Sequence, residues 1–178
     1  PYHYSSYDEE TEVAPSETDE GSWPQILAAL ILNRRERTAY SVMAGSEAHR
    51  RDWLLGRLVA KDAVRLFLAE QHGLEVPAAD LEIALDESGR PRLDEEVERA
   101  LGVEVALSIS HADGNAVAVA AAREGGRSIG VDLERLDDQH RDLAISVFGP
   151  DERELLDAVN GRQSEWVLRL WCAKEAAA

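Results

Sequence analysis

The chain has 178 residues, 44% of them hydrophobic and 30% charged, and carries a formal net charge of −16. That length fits one domain with a sizeable core or two small fused halves, and the acidity argues against a general nucleic-acid binder. No apolar run is long enough to span a bilayer and no signal peptide opens the chain, while a single cysteine, Cys172, leaves no internal disulfide and fits a reducing, cytoplasmic setting.

Residues 1–22, PYHYSSYDEETEVAPSETDEGS, hold Asp8, Glu9, Glu10, Glu12, Glu17, Asp19 and Glu20 but no Lys or Arg. With little to bury, this stretch reads as a flexible acidic linker. The chain opens on Pro1 rather than Met, which reads as a piece excised from something longer. The remainder is still acidic, so an anionic ligand has to be held by locally clustered bases.

From Trp23 the composition turns apolar and then basic, and WPQILAALILNRRERTAY fits helix or strand. The next segment is clearer. Ser46 caps a helix that runs to Gly73, a good residue for the left-handed exit. Arg57 and Lys61, four apart, share a face of it. The period then changes: LEIAL (81–85) alternates like a strand and DESGRPRL reads as a turn. VALSIS (105–110) and NAVAVAAAR (115–123) read as strands joined by HADG, and EGG (124–126) leads into RSIGVDLER (127–135). Together these predict a three-stranded antiparallel meander. Pro150 and Asp151 open a helix closed by Asn160-Gly161, and RQSEWVLRLWCAKEAAA is a last helix. Helix, strands, helices in that order predict an α+β fold.

Chemistry-bearing residues punctuate this outline. In GVDLE (130–134), Asp132 and Glu134 are two apart on a strand and project together. Paired oxygen donors of this kind suit Mg²⁺, which takes one or two carboxylates plus phosphate oxygens and water; the plain alternative is a solvated strand end beside Arg135. SISH (108–111) brings His111 to a sheet rim, as a phosphate donor or as an ordinary turn residue. GRP (89–91) fixes Arg90 in a turn, as a phosphate clamp or a surface arginine. In WCAKEA, Lys174 and Glu175 lie about 100° apart on a helix and meet different neighbours. The lysine can meet a pyrophosphate and the glutamate can complete a metal site or accept a proton; otherwise this is an amphipathic helix with Trp171 buried. Cys172 has only Lys174 nearby as a weak activator, so a chemical role for its thiol is not expected.

GRP, SISHADG, IGVDLE, FGPDERELL and WCAKEAAA, in this order, resemble the motif series of the 4′-phosphopantetheinyl transferases. Together with EAHRRDWLLGRLVAKDAV, they are most similar to the large, pseudo-dimeric type that activates peptide and polyketide synthases. The likeness covers roughly residues 23–178. It implies transfer of the phosphopantetheine arm of coenzyme A to a serine of an acyl or peptidyl carrier protein, with release of adenosine 3′,5′-bisphosphate. It also implies Mg²⁺ on Asp132, Glu134 and Glu175, with Glu175 as candidate base and Lys174 facing the phosphates. Arg90 and His111, and less closely matched Arg37, Arg57 and Lys61, would grip the coenzyme's phosphates. The fold implied is two similar α+β halves, 23–105 and 106–178, the second incomplete, with coenzyme in the cleft between them. A lysine that the family places four residues after the glutamate would fall at position 179. The acidic linker points to a domain of a polyketide synthase. Two other readings stand beside this one: a carrier-protein docking module that kept the fold without turnover, and a Mg²⁺-dependent nucleotide hydrolase.

Overall fold

A computed structural model describes residues 23–125, 128–136, 147–159 and 163–177. The expected linker, residues 1–22, lies outside them, as do Gly126, Arg127, Asn160 and Gly161. The described chain is a mixed α+β arrangement with two small antiparallel hairpins.

The ambiguous opening segment is two helices, α1 (Trp23–Ile31) and α2 (Arg34–Ser41). Asn33 breaks them. Its backbone is extended and its side chain accepts the Glu36 N–H at 2.8 Å. The Glu36 carboxylate in turn accepts the Asn33 N–H at 3.0 Å, so each satisfies an orphan donor of the new helix. Helix α3 (Glu47–His72) starts and stops where its caps place it. Ser46 Oγ accepts the His49 N–H, and Gly73 leaves in the left-handed region at φ 65°.

Strand β1 (Ile83–Leu85) pairs antiparallel with β2 (Pro91–Leu93), Ile83 opposite Leu93. Only residues 86–90 of DESGRPRL turn; Asp86 Oδ1 accepts the N–H groups of Ser88 and Arg90 at 2.8 and 2.9 Å. The sequence outline also lacks α4 (Glu95–Leu101), two turns long and too short to set up a period, which Asp94 caps. Strands β3 (Val105–Ala112) and β4 (Asn115–Ala122) form the longer hairpin, with Ala112 opposite Asn115. Its two-residue turn has positive φ at both Asp113 (50°) and Gly114 (75°), which is what an Asp-Gly hairpin turn requires. Helices α5 (Pro150–Ala158) and α6 (Gln163–Ala177) follow.

The main core lies between α3 and both hairpins. Ala60, Val64 and Leu68 of α3 pack with Leu81, Ile83, Leu93, Val103, Val105 and Leu107. It therefore draws on both sides of residue 105, the expected boundary between halves. A second cluster joins α1 and α2 to α3 through Ala28, Ile31, Leu32, Tyr40 and Leu54. The third is small: Phe148, Leu156 and Val167, flanked by Leu170 and Trp171.

The meander is corrected in one respect. Residues 128–136 form no strand. The Val131 and Leu133 N–H groups, which a third strand would give to backbone carbonyls, donate instead to Ser108 Oγ and Ser110 Oγ, each at 3.1 Å. A step of two residues on one side matches a step of two on the other, so the segment runs in the same sense as β3. Its far end is tied to the hairpin turn by Arg135 and Asp113 at 3.4 Å.

Candidate active site

Side chains alternate along β3, so Ser108 and Ser110 share the face opposite Leu107 and Ile109. The latter face meets α3: Leu107 is in the main core, and Ile109 lies nearest the position a Cβ on Gly56 would take. The serine face carries residues 128–136. There Ser110 Oγ donates to Asp132 Oδ1 at 2.9 Å. The other oxygen, Asp132 Oδ2, is buried and has no hydrogen-bond partner among the described residues. Glu134, two residues on, is exposed.

The last turn of α6 closes on this segment because residue 130 is a glycine. A Cβ there would lie 1.5 Å from the Ala176 carbonyl oxygen, far inside any allowed contact. Cys172, one turn earlier, meets Asp132. Burial pushes its thiol up to about 11, helped by its contact with Asp132 and by the charges of Asp132 and Glu134. The thiol is thus held protonated.

Glu175 stands three residues beyond Cys172, on the same flank of the helix, and is exposed. Among the described residues no group of three or more His, Cys, Asp or Glu side chains is close enough to hold a metal ion. Lys174 points elsewhere, as the 100° step requires. Its Nζ donates to both Glu152 oxygens at 2.9 Å and to the Val147 carbonyl at 3.3 Å, and it lies 5.3 Å from the centre of the Phe148 ring. The Lys174 contact, ahead of the Gly149 N–H, holds the Glu152 carboxyl below its ordinary range. Glu152 also caps α5 by accepting the Gly149 N–H at 2.8 Å. One ion pair thus fastens the end of α6 to the start of α5.

The bases expected on the coenzyme divide into two sets. Arg90, His111 and Arg37 are exposed. Arg90 sits in the β1–β2 turn, His111 beside the β3–β4 turn, and Arg37 donates to the Ala29 carbonyl at 3.4 Å. Arg57 and Lys61 do share a face of α3, but that face looks inward. Lys61 is wholly buried and donates to the Ile31 carbonyl at 2.7 Å and to Glu36. Arg57 lies 3.7 Å from Glu36 and stacks over Trp53. Burial lowers the pKa of both, and Glu36 opposes that shift. Glu36 also accepts the Ile83 N–H at 3.1 Å, so it joins α2, α3 and β1. This network serves the fold.

Three residues that matter were not singled out from sequence: Glu36, Ser108 and Ser110. Asn33-x-x-Glu36 was readable as a cap, but its burial was not. Glu152 sits in the FGPDE stretch, one of the motifs quoted above, and its partner Lys174 in another. Ser110 adjoins His111 in SISH, where the histidine drew the attention.

A groove of about 570 Å³ lies elsewhere, lined by Glu75, Asp80, Glu82, Asp94 and Glu96 with Arg35. Its acidity suits no polyanion. No curated protein matches the chain. Residues 128–178, which carry Asp132, Glu134, Glu152, Lys174 and Glu175, match the family model of the 4′-phosphopantetheinyl transferase superfamily.

Proposed function

We propose that this chain moves the 4′-phosphopantetheine arm of coenzyme A onto a serine of an acyl or peptidyl carrier protein. One observation carries the reading furthest. Within the matched stretch, Asp132 presents a buried oxygen with no hydrogen-bond partner among the described residues, two positions from the Gly130 on which the last turn of α6 closes and beside Cys172. A buried unpaired carboxylate oxygen asks for a cation or a donor from outside the protein.

That orphan oxygen and the oxygen-only donor set fit Mg²⁺, with Asp132 and Glu134 as its carboxylates and Glu175 as the third side chain to approach. The ion would supply charge neutralisation on the pyrophosphate and the departing bisphosphate. The chain's own residues do the rest. Glu175, exposed and adjacent, takes the proton of the serine hydroxyl, directly or through water. The serine oxygen bonds to the phosphorus that carries pantetheine, the bond to the bridging oxygen breaks, and adenosine 3′,5′-bisphosphate leaves. Arg90, His111 and Arg37 grip the phosphates. Lys174, held by Glu152, keeps the last turn of α6 in place. The pseudo-dimeric arrangement, with halves meeting near residue 105, and a place in a polyketide synthase belong to the same proposal.

A docking module without turnover draws support from the lack, among the described residues, of an assembled group of three His, Cys, Asp or Glu side chains. Incubation with coenzyme A, Mg²⁺ and an apo carrier protein separates the readings. Transfer predicts a carrier serine gaining the arm and one bisphosphate per arm. Carrier binding without either product would leave only docking. Phosphate-ester cleavage with no carrier present would point to hydrolysis.

A further inference from the structure

Ser108 and Ser110 make the same backbone contact and differ in one bond. Each accepts an N–H of the neighbouring segment at 3.1 Å, from Val131 and Leu133 respectively. Only Ser110 also reaches a carboxylate, Asp132 Oδ1 at 2.9 Å. A serine hydroxyl has one proton and two lone pairs. The Leu133 N–H occupies a lone pair, which leaves the proton to Asp132. Bonds of this kind, from a neutral donor to a charged oxygen, are among the stronger ones available to a side chain.

The consequence for Asp132 is geometric. Ser110 holds the side chain of Asp132 and the backbone of the next residue at once. The carboxylate cannot rotate without breaking one of these contacts. With Oδ1 satisfied, Oδ2 is the buried oxygen left without a partner among the described residues. We propose that Ser110 is a positioning residue: its hydroxyl fixes the Asp132 rotamer and leaves Oδ2 open to a divalent cation, while Ser108 serves only to hold the segment on β3. The inference rests on the transferase reading, from which the cation comes. Hydrogen-bond partners of metal-binding carboxylates elsewhere influence affinity about 10- to 100-fold.

The full chain tests this with Mn²⁺ as the probe, free ion being measured by electron paramagnetic resonance with and without coenzyme A. Ser110→Ala is expected to weaken Mn²⁺ binding about 10- to 100-fold. Ser108→Ala is expected to leave it within about twofold, although both variants lose one hydrogen bond to the segment. Ser110→Thr keeps the hydroxyl and should restore most of the affinity. Should the alanine variant not fold, Ser110→Cys, a much weaker donor of similar shape, carries the same expectation. Equal Mn²⁺ affinity in the wild type and Ser110→Ala would overturn the positioning role and leave the transferase reading standing. So would equal weakening by Ser108→Ala and Ser110→Ala, tracking their melting temperatures. A wild-type chain that binds no Mn²⁺ even with coenzyme A would overturn both. In the transfer assay, a rise in coenzyme KM without a change in metal requirement would also contradict the role.

Discussion

The region around α3 and the region after residue 128 are held together by different means. Around α3, Ala60, Val64, Leu68, Leu81 and Leu93 are fully buried and form one continuous apolar core with both hairpins. Beyond residue 128 the apolar cluster is Phe148, Leu156 and Val167. That segment meets β3 through two serine hydroxyls, and α6 through the absence of a side chain at Gly130. The candidate carboxylates and Lys174 sit in the second region, while Arg37, Arg90 and His111 stand in the first. The lesson is that stability and the site rest on different contacts, so each can be broken while the other is read.

The largest effect should come from the first region. Leu68→Ala removes a fully buried side chain from the main core and is expected to lower stability by about 2–5 kcal/mol. Denaturant unfolding monitored by far-ultraviolet circular dichroism measures it. A change under about 1 kcal/mol would mean the core is not continuous as described.

Next is Gly130→Ala. Its methyl group collides with the Ala176 carbonyl, a backbone atom that cannot swing aside. Overpacking of this kind destabilises by about 1–3 kcal/mol, and here the strain is relieved by lifting the end of α6. Protection of α6 amides from hydrogen exchange should fall while that of α3 is kept. Equal loss in both helices would erase the distinction between regions.

The smallest effect is electrostatic. Lys174 depresses the Glu152 carboxyl in the folded state. A depressed acid contributes stability above its unfolded value, about 4.3 for glutamate, and loses that contribution as the pH falls through the folded value. Glu152→Gln should therefore flatten the acid limb of the stability curve below about pH 4.3. Both side chains are partly exposed, so the change should be modest and shrink with salt. An acid limb unchanged by the substitution would remove the pair as the fastening of α6 to α5.

How much of this was legible in the sequence follows the same division. Ser46 and Gly73 announced α3, and Asp113-Gly114 announced the β3–β4 hairpin, because caps and tight turns depend on a few residues close together in the chain. β2 and α4 escaped because three strand residues and two helical turns carry too little pattern. The third strand failed for a different reason. RSIGVDLER has strand composition, but whether its N–H groups meet a carbonyl or a serine hydroxyl depends on β3, some twenty residues away. Burial was the least legible property. Arg57 and Lys61 look like solvent-facing bases until Glu36, on another helix, turns them inward. The motif residues Asp132 and Lys174 were legible as chemistry, whereas Cys172 against Asp132 and Glu152 against Lys174 needed the folded chain.

Asp132→Ala is the most direct measurement of the central claim, because it removes the buried carboxylate oxygen on which the proposed metal site rests. Transfer of a labelled pantetheine arm from coenzyme A to an apo carrier protein should occur with the wild-type chain and Mg²⁺. It should vanish in the variant, with the melting temperature nearly unchanged. Transfer at the wild-type rate by a folded Asp132→Ala chain would contradict the account.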